Sequence, residues 1–221
     1  MKTLVCDSSS LISLSESCNL GVLSFLKQKF GVDFVIPPFV QKEIVERPSR
    51  VGKFAFSAAR LKHLLTERTL RVASVPSLSF ETRKILSTAN SLFYHQKPLT
   101  ILQQGEAECL ALLKPLNAKA LVIDEKTTRL LVEDPQKLFS IMLSEHDAVK
   151  ATEQNLGFFK KEFPYPNLRS TELLAFAAEN GFFESYGSDE NDIFHSAVYA
   201  LRYSGCSISQ KEIDDYQKIR V

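Results

Sequence analysis

Four short apolar runs alternate with helically patterned blocks over the first part of the chain, and this alternation leaves very few folds open. The runs are Thr3–Cys6, Asp33–Ile36, Leu70–Val75 and Ala120–Ile123. All four read as strands, the first buried and the third alternating and β-branched. Leu11, Ile12 and Leu14, then Leu20, Val22, Leu23, Phe25 and Leu26, sustain a helical pattern up to Gly31. Further helices are expected after Pro37-Pro38, over Phe54–Thr66, over Phe80–Phe93, from Glu106 to Leu113 and from Glu125 to Val132, while Tyr94 to Gln104 reads as a loop. Strands alternating with helices specify the α/β class, here a three-layer α/β/α sandwich around a parallel sheet of about four to five strands.

After Asp134 the strand signal fades and helical blocks take over, at Ser170–Phe183, at Asp189–Tyr203 (stopped by Gly205) and after the capping box of Ser209 and Glu212. The expected division is an α/β domain over 1–150 and a helical C-terminal extension over 151–221.

Charge and cysteine usage exclude several classes. Lys and Arg number 27 against 26 Asp and Glu, so bulk charge does not make this a nucleic-acid-coating protein. A local patch remains available: eight Lys or Arg lie between Val40 and Arg71, against three Glu. The four Cys are scattered without a C-x-x-C pair and the four His are equally dispersed, which argues against a Cys/His zinc site. No run of about 18 apolar residues occurs, and Met1 leads into a strand without a charged leader, so the expectation is a cytoplasmic protein with no membrane partner. Neither a G-x-S-x-G elbow around Ser8, Ser9 and Ser10 nor a glycine-rich phosphate loop is present.

The acids are more informative. In an open parallel sheet, ligands gather outside the carboxyl ends of the strands. Asp7 directly follows the first strand and Asp124 the fourth; Glu43 sits on the helix behind the proline pair, and Glu106 begins the helix that feeds the fourth strand. Each has a plain explanation alone, as a cap, a turn residue or a surface charge. Together on one edge they would repel unless a cation held them, and an all-oxygen donor set suits Mg²⁺ or Mn²⁺. Glu108 is a second choice to Glu106, because two helical steps of about 100° each place it on nearly the opposite side.

The segments LVCDSSSLI, FVIPPFVQKE, GEAECLAL and ALVIDEK, in this order and at this spacing, resemble the PIN-domain nucleases over roughly residues 1–135. The resemblance implies an α/β/α fold and Mg²⁺- or Mn²⁺-dependent endoribonuclease activity. It assigns Asp7, Glu43, Glu106 and Asp124 as catalytic and metal-binding acids, with Ser9 as a small hydroxyl residue beside the metal. It also implies RNA as substrate, with a homodimer and an antitoxin or RNA-processing protein as expected partners. The chain runs well beyond the compact toxin-type members of that family. The alternative is a PIN-like scaffold or RNA-binding module that docks a protein without cleavage.

For RNA grip the sequence offers Arg47, Arg50 and Lys53 after Glu43, and Lys126 and Arg129 after Asp124. His195 near Asp192, the pair His146 and Asp147, and the aromatic pair Tyr199 and Tyr203 have solvated or packing roles as their simpler explanation.

Overall fold

A computed structural model describes residues 2–145, 149–152 and 157–221. Its centre is a five-stranded parallel sheet in the order β3-β2-β1-β6-β8. The strands are β1 (Lys2–Cys6), β2 (Val32–Ile36), β3 (Leu70–Val72), β6 (Ala120–Val122) and β8 (Asn167–Leu168). Strands β1, β2 and β6 bury Leu4, Val5, Cys6, Phe34, Val35, Ile36, Leu121 and Val122, as continuous apolar runs covered on two faces should. Asp33 is the polar exception on β2, and Arg71 of β3 satisfies it at 2.7 Å.

The helices are α1 (Ser8–Glu16), α2 (Gly21–Phe30), α3 (Pro38–Gln41), α4 (Gly52–Thr66), α5 (Leu78–Ala89), α6 (Gln104–Leu113), α7 (Lys126–Glu133) and α8 (Pro135–Glu145). Beyond them come α9 (Phe158–Glu162), α10 (Ser170–Ala178), α11 (Glu190–Tyr203) and α12 (Gln210–Tyr216). The helical pattern expected to run unbroken to Gly31 is cut into α1 and α2, because Cys18 takes a left-handed φ of 61°. Gly31, also left-handed at φ 65°, then ends α2. Helix α3 passes directly into a π turn over Lys42–Glu46, a wide turn that often marks a functional site.

The region expected as a loop holds structure. Phe93–His95 (β4) and Lys97–Pro98 (β5) form a tight antiparallel pair across Gln96, which adopts φ 57°, and Lys150–Ala151 (β7) adds to β4. Too few residues are involved for a period to show in sequence. Behind this small sheet, Asn90 clamps the following segment: its Oδ1 accepts from the Ile101 and Leu102 amides at 2.7 and 2.9 Å, and its Nδ2 donates to the Leu102 carbonyl.

Within 157–221, Asn167 and Leu168 join the sheet. Strand β8 pairs with β6 through Leu121↔Asn167 and Val122↔Leu168. Helix α10 then packs against α1 and α2. Fully buried Asp124 fastens this junction, with Oδ1 accepting from the Ser170 amide at 2.7 Å and Oδ2 from the Ser170 hydroxyl at 2.6 Å. A carboxylate at the start of α10 also meets the positive end of that helix. Arg169 adds a second fastening, bonding Glu172, Glu212 and the Ser207 carbonyl. Among the described residues, no helix is long and apolar enough to cross a membrane.

Replacing Asp124 by Ala strands two buried donors on Ser170, and the expected loss is about 2–4 kcal/mol of folding stability. Ser170→Ala removes the hydroxyl but keeps the amide bond, so a smaller loss of about 1 kcal/mol is expected, both losses being read from urea unfolding of the purified variants.

Candidate active site

Asp7 is placed by the end of β1 at the junction with β6. Its amide donates to the Val122 carbonyl at 2.9 Å, and the Ser10 hydroxyl bonds both the Asp7 and Val122 carbonyls. The Asp7 side chain caps α1, with Oδ2 accepting from the Ser9 amide at 3.0 Å and the Ser9 hydroxyl at 2.7 Å. The same Ser9 oxygen accepts from the amides of Asp124 and Glu125 at 3.1 and 3.3 Å. Ser9 therefore ties the ends of β1 and β6 together. It also fixes the direction in which Asp7 points.

Glu43 reaches the same place from the π turn. Two features make that approach possible. Glu108, buried at 8% exposure, accepts from the Phe39 amide at 2.9 Å and from Gln104 Nε2 at 3.0 Å, holding the start of α3 against α6. Gly105 leaves the space that the Glu43 carboxylate fills, since a Cβ built there would lie 2.6 Å from Glu43 Oε2. Glu108 is thus a tether for the element that carries Glu43, on the side of α6 away from Glu106.

Glu106 closes a capping box at the head of α6, its Oε2 accepting from the Gln103 amide at 2.5 Å. Glu125 caps α7 in a similar way, its two oxygens accepting from Thr127 and Thr128 amides at 2.7 and 2.6 Å. These two acids, with Asp7, Glu43, Ser8, Ser9, Gln103 and Gly105, line one small cleft of about 160 Å³.

The cleft therefore gathers Asp7, Glu43 and Glu106 as expected, but not Asp124. The carboxylate of Asp124 is spent on Ser170, and its neighbour Glu125 faces the cleft in its place. The physical reason is the alternation of side chains past a strand end: of two consecutive acids, one faces the cleft and the other the interior. The signal for Glu125 was present in the sequence as the second letter of D-E. Which of the two turns inward depends on β8 and α10, whose place the sequence did not reveal.

Burial and mutual repulsion dominate the electrostatics. Desolvation raises the Asp7 carboxyl above its usual range despite the Ser9 bonds that oppose it, and Glu125 adds repulsion. Burial likewise raises Glu43, against the Ser8 hydroxyl and the Arg47 charge, with Asp7 and Glu108 contributing. Glu106 is pushed up to about 8, by burial first and then by Asp7, Glu125 and Glu43. Two oxygens in this group, Asp7 Oδ1 and Glu43 Oε2, are buried without any hydrogen-bond partner. Orphaned, desolvated carboxylate oxygens among like charges suit a bound cation.

As the side chains lie, no group of three His, Cys, Asp or Glu residues among the described ones is gathered closely enough to hold a metal ion. The expected four-acid ligand set is therefore not assembled. A two-acid site is nonetheless compatible with Mg²⁺, which characteristically takes one or two carboxylates and completes its shell with water and substrate phosphate. Asp7 and Glu43 are the residues with oxygens free for that role.

Of the basic candidates, Arg47 is exposed and lies over the Phe39 ring at 4.9 Å, near enough to Glu43 to act on its charge. Arg50, Lys53 and Lys126 are exposed, and Arg129 is partly buried with Nη1 unpartnered. His195 contacts the Ile219 carbonyl, and the Tyr199 hydroxyl accepts from Gln217, so both serve the packing of the C-terminal helices. Tyr203 is 84% exposed on α11. His146 and Asp147 lie outside the described residues.

The raised acid pKa values set the sign of a pH effect. A carboxyl whose value moves from 4.5 unfolded to about 8 folded binds its proton more tightly in the native state. Its stabilising contribution is whole below pH 4.5 and is lost as pH rises toward about 8. Metal-free protein should lose melting temperature across that interval, and Glu106→Gln should flatten the loss. An unchanged slope in Glu106→Gln would contradict the assignment.

The comparison with protein families agrees with the fold. No curated protein matches the chain. A family model described as a PIN domain matches residues 3–134, which takes in β1 to α7 and every residue lining the cleft. PIN domains are generally nucleases, and those nucleases generally use divalent metals. With well over half its length inside that match, the chain belongs to the PIN-domain family.

Proposed function

We propose that this chain is an endoribonuclease that hydrolyses RNA phosphodiester bonds with the help of a Mg²⁺ or Mn²⁺ ion. The observation that carries the reading is the pair of buried, unpartnered oxygens on Asp7 and Glu43, inside a cleft with two further glutamates. A divalent ion bound there supplies an acidified water and neutralises charge building on the phosphate. Asp7 and Glu43 are the residues to hold it. Ser9 orients Asp7, while Gly105 and Glu108 keep Glu43 within reach. Glu106 and Glu125 line the same cleft, and Glu106, held protonated by burial, would release its proton as a cation enters. Arg47, Arg50 and Lys53 would meet the phosphates of the RNA beyond the cleft, which makes binding salt-dependent.

The scaffold alternative draws on one observation, that capping bonds already occupy Glu106 and Glu125. Capped carboxylates keep unused lone pairs, so those bonds do not remove either acid from the cleft. A toxin role with an antitoxin partner and an RNA-processing role remain two biological settings for the same chemistry.

Cleavage of single-stranded RNA by the purified chain, with Mn²⁺ or Mg²⁺ and with chelator, tests the proposal. Asp7→Asn and Glu43→Gln should each lower the rate by about 100-fold or more, as loss of a metal ligand does. Gly105→Ala should keep the fold and still lower the rate, because the new methyl displaces the Glu43 carboxylate. Undiminished cleavage by Asp7→Asn would end the nuclease reading.

A further inference from the structure

The acidic cleft opens on one side into a larger concavity of about 400 Å³. Gln103, Glu106 and Glu125 line both, so one strand can occupy the two at once. Away from that shared edge the wall is apolar. Leu99, Ile101 and Met142 supply hydrocarbon and thioether surface, and Leu99 and Met142 are only partly buried against the core. This wall is set before any ligand arrives. The Leu99 amide donates to the Phe93 carbonyl at 2.9 Å, and Asn90 holds the Ile101 amide at 2.7 Å. Met142 and Glu145 stand one turn apart on α8, which brings both to the same side of that helix.

The polar lining decides what the concavity accepts. Among the described residues no Lys or Arg lines it, while Glu106, Glu125 and Glu145 do, so a phosphate is repelled. A flat, neutral group with hydrogen-bond donors along its edge suits both halves. Its faces can rest on Leu99 and Met142, and its edge can donate to carboxylate oxygens. Glu145 is exposed and makes no ion pair among the described residues, which leaves its oxygens open to such donors.

We propose that this concavity is a base pocket, which takes a nucleobase bearing an exocyclic amino group next to the phosphate being cut, and turns uracil away; the proposal rests on the nuclease reading. Cytosine, adenine and guanine each carry an amino group that donates to a carboxylate. Uracil puts a carbonyl oxygen where cytosine has that amino group, and so meets Glu145 with like partial charge. Glu145 makes the distinction between bases. Leu99 and Met142 hold the ring whichever base it belongs to.

The test compares kcat/KM for cleavage of short homopolymers of cytidine and of uridine by the full chain with Mn²⁺. Homopolymers present the same base at every position, so the cleavage position need not be known. The wild type should cut the cytidine strand about tenfold or more faster, as a carboxylate reading an amino group allows. A carboxamide both donates and accepts, so Glu145→Gln should bring the two rates to within about twofold of each other. Met142→Ala removes ring contact alone, and should lower both rates about three- to tenfold through KM with their ratio kept. Glu179→Gln, the same charge loss at an exposed position outside the pocket, should leave rates and ratio unchanged. Equal cleavage of the two strands by the wild type, or a preference that Glu145→Gln leaves intact, overturns the base pocket while the nuclease stands. No cleavage of either strand overturns both.

Discussion

Four carboxylates brought to the buried edge of a parallel sheet are a cost that the surrounding structure is arranged to carry. Asp7, Glu43, Glu106 and Glu125 come from four successive connections between parallel strands and share a cleft of about 160 Å³. Like charges so confined must be neutralised by protons or by a cation. The fold supplies partial relief. Ser9 bonds Asp7, backbone amides at two helix starts bond Glu106 and Glu125, and each such start presents its positive end to an acid. Asp7 Oδ1 and Glu43 Oε2 receive none of that relief, which makes them the oxygens that a cation would engage in the proposed function.

Holding Glu43 in this group takes more machinery than any other acid. Its helix begins at a proline pair, is tethered by Glu108, widens into a π turn at Lys42–Glu46 and rests on a glycine. An ordinary helical turn would carry the carboxylate round the axis by about 100° per residue, so one added residue in the turn decides whether it faces the cleft. The C-terminal segment works on the other side of the sheet. By laying β8 beside β6 and drawing Asp124 onto Ser170, it converts an acid at the strand end into a structural fastening and leaves Glu125 at the cleft.

Much of this was legible in the sequence. Apolar runs marked β1, β2 and β6, as strands covered on both faces are mostly apolar, while alternation marked β3, whose Arg71 is exposed. Asp7, Glu43 and Glu106 could be placed on one edge from strand ends and helix starts alone. The capping box at Ser209 and the stop at Gly205 were equally local, and both stand in the structure. What escaped was non-local or too short to show a period. Strand β8 has two residues, and the small sheet of β4, β5 and β7 depends on a left-handed Gln96. The choice between Asp124 and Glu125 turned on a helix some 46 residues further along the chain. Consecutive acids at a strand end are chemically alike, and only the packing around them separates their roles.

The claim at the centre is that Asp7 and Glu43 share a divalent cation. Anomalous scattering from crystals of the chain soaked in Mn²⁺ addresses it directly. The account predicts a single strong peak within bonding reach of both Asp7 Oδ1 and Glu43 Oε2, lost in Asp7→Asn crystals. A cleft without manganese density, or manganese bound only elsewhere on the surface, would contradict it.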